Sequence, residues 1–306
     1  MSEADARDPF SSYRARLDAV GFRPSRRYGQ NFLLEPALHR AVADAARVDG
    51  ETIALELGAG LGFLTRTLAA RAACVIAVEI DARLARILRE DFPPRDPVAT
   101  GARVEIVECD ALAAGDRLAE PVEAALAAAR RARPSARLCV AANLPYAIAG
   151  PLLVALAVRG GDDAVAAMGV LVQDELAERL AAPACTAEYG SLPALLQALY
   201  HVRIERRVGR EVFRPRPQVD SAIVALHARA EIAACLRDAA GRAAFARFVR
   251  ALFAARRKTL RHAFDRVVPA WDSASPGLAA LASRRAESLD PDALVGLFRA
   301  LGEPGR

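Results

Sequence analysis

An α/β fold, a mostly parallel and doubly wound sheet followed by a small all-helical C-terminal domain, is predicted from three observations. Short apolar runs alternate with helical stretches between residue 52 and residue 180. The helical stretches run to about ten residues or more, enough for the crossover that a parallel strand pair requires. Strand signals stop after Arg229 and helical patterning takes over, which places a domain boundary near residue 230. The predicted organisation is an N-terminal arm or helix over 1–21, an α/β domain over 22–229 and a helical domain over 230–306.

Each element follows in order. TIALELGAG (52–60) is a short apolar strand ending in glycines, and FLTRTLAARA (63–72) reads as a helix with Leu64 and Leu68 four residues apart. CVIAVEI (74–80) is a second buried strand and ARLARILRED (82–91) a second helix. RVEIVECDAL (103–112) and RLCVAANLPY (137–146) supply the third and fourth strands. AAMGVLVQDELAERL (166–180) holds a fifth that runs into a helix, and the stretches 203–213 and 221–229 read as a closing pair. Two stretches look like insertions: DFPPRDPVATGAR (91–103), rich in Pro and Gly, and the Ala- and Arg-dominated 113–137, read as a surface helix. A doubly wound sheet binds its ligands at the carboxyl ends of its strands, so motifs there carry the function.

Composition narrows the class. With 53% hydrophobic and 26% charged residues, the 306-residue chain buries a full core and is not disordered. A net charge of +5 and a pI near 9.2 permit a polyanionic partner without requiring one. The five cysteines are odd in number, widely spaced and without a C-x-x-C pair, which argues against a disulfide framework and a zinc site; no metal is expected. The first residues lack the layout of a signal peptide and no apolar run approaches the ~18 residues of a membrane span, so a soluble, cytoplasmic protein is expected. Nothing in the chain demands more than a monomer.

ELGAGLG (56–62) places glycines at 58, 60 and 62 directly after a strand, where backbone can approach a ligand with a helix N-terminus behind it. A dinucleotide fingerprint needs a further glycine at 63, and Phe63 stands there, which counts against a dehydrogenase. The spacing instead resembles the first motif of S-adenosylmethionine-dependent methyltransferases. Glu79, twenty-three residues beyond Glu56, ends the second strand and suits the two ribose hydroxyls of a nucleoside; Asp110 ends the third and suits an adenine amino group. Singly, a Gly-rich turn is usually only a tight turn and a strand-end acid a solvated carboxylate. Three in order on successive strand ends indicate a nucleoside cofactor.

Asn143, Leu144, Pro145 and Tyr146 follow the fourth strand, where a methyl acceptor belongs in such a fold. An adenine exocyclic amine is a poor nucleophile because its lone pair is delocalised into the ring. Acceptors aimed at its two N–H groups favour the pyramidal, more nucleophilic form, and the Asn143 side-chain carbonyl with a main-chain carbonyl beside Pro145 can supply them. Tyr146 offers a flat face for a flipped or unpaired base. Taken alone, the tetrapeptide is equally a turn with Tyr146 packed as core.

RYGQNFL (27–33), ELGAGLG, VEID (78–81), NLPY, VQDELAERL (172–180), FRPRPQVDSAIV (213–224) and FAARRKTLRHAF (253–264) together resemble the ribosomal RNA adenine N6-dimethyltransferases, of the KsgA type that acts on small-subunit rRNA. The resemblance runs in order through residues 13–265. It implies a Rossmann-like class I methyltransferase sheet of seven strands with a small helical domain, S-adenosylmethionine as cofactor, and two adjacent adenosines in a hairpin loop near the 3′ end of 16S rRNA, each methylated twice, as substrate. It further implies a role in small-subunit biogenesis. By position, Asn31, Leu33, Gly58, Glu79, Asp110 and Asn143 match the family's cofactor contacts, and Phe213 matches the aromatic that closes on the target base opposite Tyr146. The family's NLPYN with a following Ser is absent, Ala147 and Ala149 standing there; small residues at 147–150 are expected to leave room for the second methyl. YGSLP (189–193) likewise lacks the family's basic residue.

On one helix through 245–264, Arg247, Arg250, Arg257, Lys258 and Arg261 fall within an arc of roughly 100°, opposite an apolar arc of Phe245, Val249, Leu252, Phe253, Leu260 and Phe264. A charge run is usually a solvated face; this one has almost no acids mixed in and suits RNA phosphates. Arg256 points into the apolar arc, where it calls for a buried acid. Two other functions fit parts of the pattern: the resistance-type methyltransferase that modifies an adenine of large-subunit rRNA, and a non-catalytic assembly factor that binds pre-ribosomal RNA.

Overall fold

In the computed structural model of the chain, residues 9–23, 30–93, 103–115, 117–254, 258–267 and 276–301 are described. Helix α1 (Pro9–Ala19) precedes a short strand β1 (Phe32–Leu33) and helix α2 (Pro36–Ala45). Strand β2 (Thr52–Leu57), helix α3 (Phe63–Ala69), strand β3 (Cys74–Glu79), helix α4 (Ala82–Asp91) and strand β4 (Arg103–Glu108) follow. A hairpin of β5 (Leu112–Ala113) and β6 (Arg117–Leu118) leads to α5 (Glu120–Ala132), β7 (Arg137–Asn143), α6 (Ala149–Ala157), β8 (Val165–Gln173), α7 (Asp174–Ala181) and α8 (Ser191–Leu199). Strands β9 (Tyr200–Val208), β10 (Phe213–Arg214) and β11 (Ser221–Ala228) come next, then helices α9 (Ala239–Ala254), α10 (Leu260–Val267), α11 (Pro276–Ala282) and α12 (Pro291–Ala300).

Seven strands form one sheet in the order β4-β3-β2-β7-β8-β11-β9. Strands β4, β3, β2, β7 and β8 run parallel, and β11 is antiparallel to β8. Every residue of β2 and β3 is buried, as expected of parallel strands covered on both faces. From β2 the chain winds outward through β3 to β4 and then returns to β7 on the other side of β2. The carboxyl ends of β2 and β7 therefore form the switch point of the sheet, where a crevice opens.

The strand readings from sequence reappear within a few residues at each end. The stretch 113–137 does not: it is no insertion. Helix α5 is the crossover from β4 to β7; it packs on β3 and β4 and buries Val122, Ala125, Leu126 and Ala129. Its Ala-rich composition conceals the apolar stripe because Ala contributes little to a hydrophobic pattern while still packing closely. Residues 94–102 of the other supposed insertion lie outside the described residues.

The chain divides into two compact units. The first holds the chain through Leu152 together with Val165–Ala177 and Arg203–His227. In it, α1 is anchored by the Tyr13 hydroxyl, which donates to Asp91 Oδ2 at 2.8 Å, and by Arg16, which meets Asp91 at 2.7 Å and Glu90 at 3.0 Å. The second unit comprises Leu153–Ala164, Glu178–Val202 and the chain from Ala228 onward, so a linear division near residue 230 describes only its last part. Phe245 and Phe248 pack on Phe298 with ring centroids 5.4 and 5.3 Å apart. Arg242, 5% exposed, donates Nε to Leu236 O at 2.8 Å and its guanidinium to the carbonyls of Ala157 and Arg159. Main-chain carbonyls, not an acid, thus accept from this buried cation.

The single helix expected over 245–264 is also corrected. Helix α9 ends at Ala254 and α10 begins at Leu260. Between them Thr259 bridges to Arg285, and Leu260 N–H donates to Arg284 O at 2.8 Å, a long-range bond that ends the helical ladder. Phe245, Val249, Leu252, Leu260 and Phe264 are buried all the same, because each shorter helix keeps its own apolar side inward.

Candidate active site

The glycine turn after β2 holds Gly58, Gly60 and Gly62 at φ +80°, +58° and +74°. An L side chain is disfavoured at each, which is why three glycines alternate here. The turn feeds α3, whose N-cap is Gly62. Gly60 N–H points across to β3 and donates to Glu79 Oε2 at 2.8 Å, while Asp81 N–H donates to Glu79 Oε1 at 2.9 Å. Each carboxylate oxygen so keeps lone pairs for a ligand. Burial raises the Glu79 pKa, opposed by these N–H groups. Asp81 caps α4 and is held below its ordinary value chiefly by the Arg83 guanidinium.

Below the turn lies Glu56, fully buried, accepting a hydrogen bond from Thr65 Oγ1 at 2.6 Å. Burial pushes it up to about 8, so it is protonated at neutral pH. His39 on α2 faces the same cavity, stacks on Phe63 at 6.1 Å and bonds through Nε2 to Leu33 O at 3.0 Å. A carbonyl partner requires the proton on Nε2, and burial pulls His39 down to about 4, so its ring is neutral.

At the end of β7, Asn143 Nδ2 donates to Asn31 O at 2.9 Å. Only the NH2 half of the amide can face a carbonyl, so this bond turns the Asn143 carbonyl the other way. Leu144 is buried and its N–H donates to Leu171 O at 3.1 Å; the Pro145 carbonyl accepts from Ile148 N–H at 3.1 Å. Tyr146 is half-buried, its hydroxyl 2.9 Å from Ser221 Oγ, and burial raises its pKa.

The glycine turn, Glu56, His39, Glu79 and Asn143 line one open cavity; Leu144 and Tyr146 are not among its lining residues. Asn31, Leu33, Gly58, Glu79, Asn143 and Pro145 all border it. A second hollow shares Gly58, Ile80 and Pro145 with it and adds Cys109, Asp110 and Ala147. Ile80, 40% exposed, is one of two large exposed apolar side chains among the described residues, and it stands where the two hollows meet. Vicinal-hydroxyl acceptors on one side, an apolar side chain in the middle and a second carboxylate beyond it suit a nucleoside laid across the strand ends.

A model of the family described as "Ribosomal RNA adenine dimethylase" matches residues 21–276. The chain belongs to that family. Among its relatives, the "Ribosomal RNA small subunit methyltransferase A" of Anaeromyxobacter dehalogenans strain 2CP-C is 39% identical over 303 residues, covering 96% of this chain and 99% of that one. The protein of the same name from Geobacillus thermodenitrificans is 38% identical over 249 residues, 80% of this chain and 77% of that one. A solved dimethyladenosine transferase from Plasmodium falciparum shares the fold, with TM-score 0.64, 21% identity, and coverage of 89% of this chain and 98% of that one. The 23S rRNA methyltransferase ErmE does so with TM-score 0.56, 24% identity, and coverage of 88% and 99%.

Within this dimethylase fold, the six residues expected to hold the cofactor come together around the two adjoining hollows, Asp110 in the second and the other five in the first. Phe213, matched by position to the aromatic that closes on the target base opposite Tyr146, is fully buried, because β10 pairs with β1 in the register Leu33↔Phe213 and sets the ring in the core with Leu38, Val42 and Ile223. Ala149 is buried as well, at the start of α6, so Ala147 rather than Ala149 borders the second hollow. In the second unit Arg247, Arg250, Lys258 and Arg261 are exposed; Arg256 and Arg257 lie outside the described residues. His39 and Ser221 carry no signal of their own in the sequence. One sits on the buried side of α2 like any core residue, and the other lies inside VDSAIV with nothing local to show its partner.

Proposed function

We propose that this dimethylase uses S-adenosylmethionine to methylate N6 of two adjacent adenosines in a hairpin loop near the 3′ end of 16S rRNA, in the cytoplasm and as part of small-subunit biogenesis. The names of relatives that span nearly the whole chain support the substrate. The observation that carries the chemistry is Asn143, anchored through its NH2 on Asn31 O with its carbonyl turned away as an acceptor at the lip of the cavity.

The cofactor supplies an activated methyl group on a sulfonium. Glu79 would hold the ribose hydroxyls with the lone pairs that Gly60 and Asp81 leave open, and Asp110 would accept from the adenine amine. The Asn143 carbonyl and the Leu144 carbonyl accept the two N–H groups of the target amine; the Pro145 carbonyl is engaged by Ile148 and Pro145 has no N–H to compete. Two acceptors so placed hold the nitrogen pyramidal, and Tyr146 gives the base a face to stack on. Orientation and electrostatic fit provide the rate, with no strong base required. The exposed cations of the second unit, Arg247, Arg250, Lys258 and Arg261, contact RNA phosphates.

The test is transfer of labelled methyl to unmethylated small ribosomal subunits by the wild type, Asn143→Ala and Tyr146→Ala. Dimethyladenosine from the wild type, lost in both variants, is the expected result. Tight subunit binding with no transfer by the wild type makes the chain an assembly factor.

A further inference from the structure

The motifs VQDELAERL and FRPRPQVDSAIV lie outside the cofactor cavity, yet the second contains a residue that meets Tyr146. Because β11 runs antiparallel to β8, its first residue, Ser221, lies at the same sheet edge as the carboxyl ends of the parallel strands, opposite Gln173. Ser221 is fully buried, and its Oγ stands 2.9 Å from the Tyr146 hydroxyl.

The loop that delivers Ser221 is clasped on both sides. Asp220 Oδ1 accepts Arg210 N–H at 3.1 Å, and the Arg210 guanidinium donates to Gln218 O at 2.9 Å. Asp174 N–H, at the start of α7, donates to Asp220 O at 3.0 Å, and the Asp174 carboxylate pairs with Arg207. Further along, β10 is stitched to β1 through Phe213 and Arg214. A loop braced internally by Arg210 and tied to the start of α7 and to β1 in this way has little freedom, and a side chain at its end is a rigid anchor.

We infer that Ser221 is a positioning residue for Tyr146: its hydroxyl fixes the ring on which the target adenine stacks, and the 209–220 loop exists to hold it there. The inference rests on the function proposed above. A ring bonded only through its faces can tilt about its side-chain torsions, whereas one tethered at the hydroxyl cannot, and small errors in placing the reacting amine cost rate.

The experiment measures kcat, KM and cofactor affinity for methyl transfer to unmethylated small subunits in the wild type, Ser221→Ala, Ser221→Thr, Tyr146→Phe and the Ser221→Ala/Tyr146→Phe double variant. Tyr146→Phe keeps the ring and the fold while removing the same bond from the other side. Each single loss lowers kcat by about threefold to tenfold, the factor one hydrogen bond of ordinary strength represents, with cofactor affinity unchanged. The double variant is no slower than the slower single, and Ser221→Thr, which keeps the hydroxyl, recovers most of the rate. Losses that multiply in the double variant, or a Tyr146→Phe enzyme as fast as the wild type, overturn the positioning role alone. A wild type that transfers no methyl overturns the proposed function and this role with it.

Discussion

Glu56→Gln should flatten the pH dependence of stability between pH 4.5 and 8. The wild-type carboxyl is buried beneath the glycine turn at the wall of the cavity, with the Thr65 hydroxyl as its side-chain partner, and burial, aided by Glu79, lifts it to about 8 from an ordinary 4.5. Below pH 4.5 the group is protonated in the folded and unfolded chains alike and contributes no slope. As pH rises above 4.5 the unfolded chain loses this proton while the folded chain keeps it, so stability falls by about 1.4 kcal/mol per pH unit until pH 8. Across that window the loss reaches roughly 4–5 kcal/mol, levelling off once the folded group ionises too. Glutamine has nearly the same shape, accepts the Thr65 bond and does not titrate, so the variant lacks this slope. Urea unfolding of wild type and variant at half-unit pH steps gives the difference curve, to which other titrating groups contribute little because they are common to both chains. Parallel curves, or a variant that loses stability toward pH 8 as steeply as the wild type, would refute the assignment of Glu56 as a buried neutral acid.

Three further outcomes follow from the geometry. Gly62→Ala places a Cβ 2.8 Å from Leu88 Cδ2 and 2.9 Å from Phe92 Cε2 at a residue with φ +74°, for a loss of about 2–4 kcal/mol in denaturant unfolding. Gly115→Ala, at φ +80° with open space around it, should show only the backbone share, about 1–2 kcal/mol; equal losses at both sites would mean packing is not the difference. Leu126→Ala on α5 should cost about 2–5 kcal/mol if the helix is a core crossover, and under about 0.5 kcal/mol if it is a surface insertion. Ala at Arg247, Lys258 or Arg261 should weaken small-subunit RNA binding and reduce the slope of log affinity against log salt by about one for each phosphate no longer neutralised, measured by filter binding; an unchanged slope removes that residue from the interface.

The local features of the candidate site were legible in the sequence because each depends on a few adjacent residues. Three glycines at alternate positions after an apolar run require left-handed backbone wherever they fold, and acids at successive strand ends come to one edge once the strands are parallel. The Asn143–Tyr146 turn after β7 was legible for the same reason. Tertiary structure decided the rest. Helix α5 is core because a crossover from β4 to β7 must cover the sheet, a demand its Ala-rich sequence does not display. The break at Thr259 depends on Arg284 and Arg285, about twenty-five residues away, competing for its backbone groups. Phe213 is buried because of its pairing with Leu33, 180 residues earlier, and Ser221 reaches Tyr146 only because β11 runs against its neighbour. Hydrogen bonds between strands far apart in the chain obey the register of the folded sheet, and a linear pattern carries periodicity but not register.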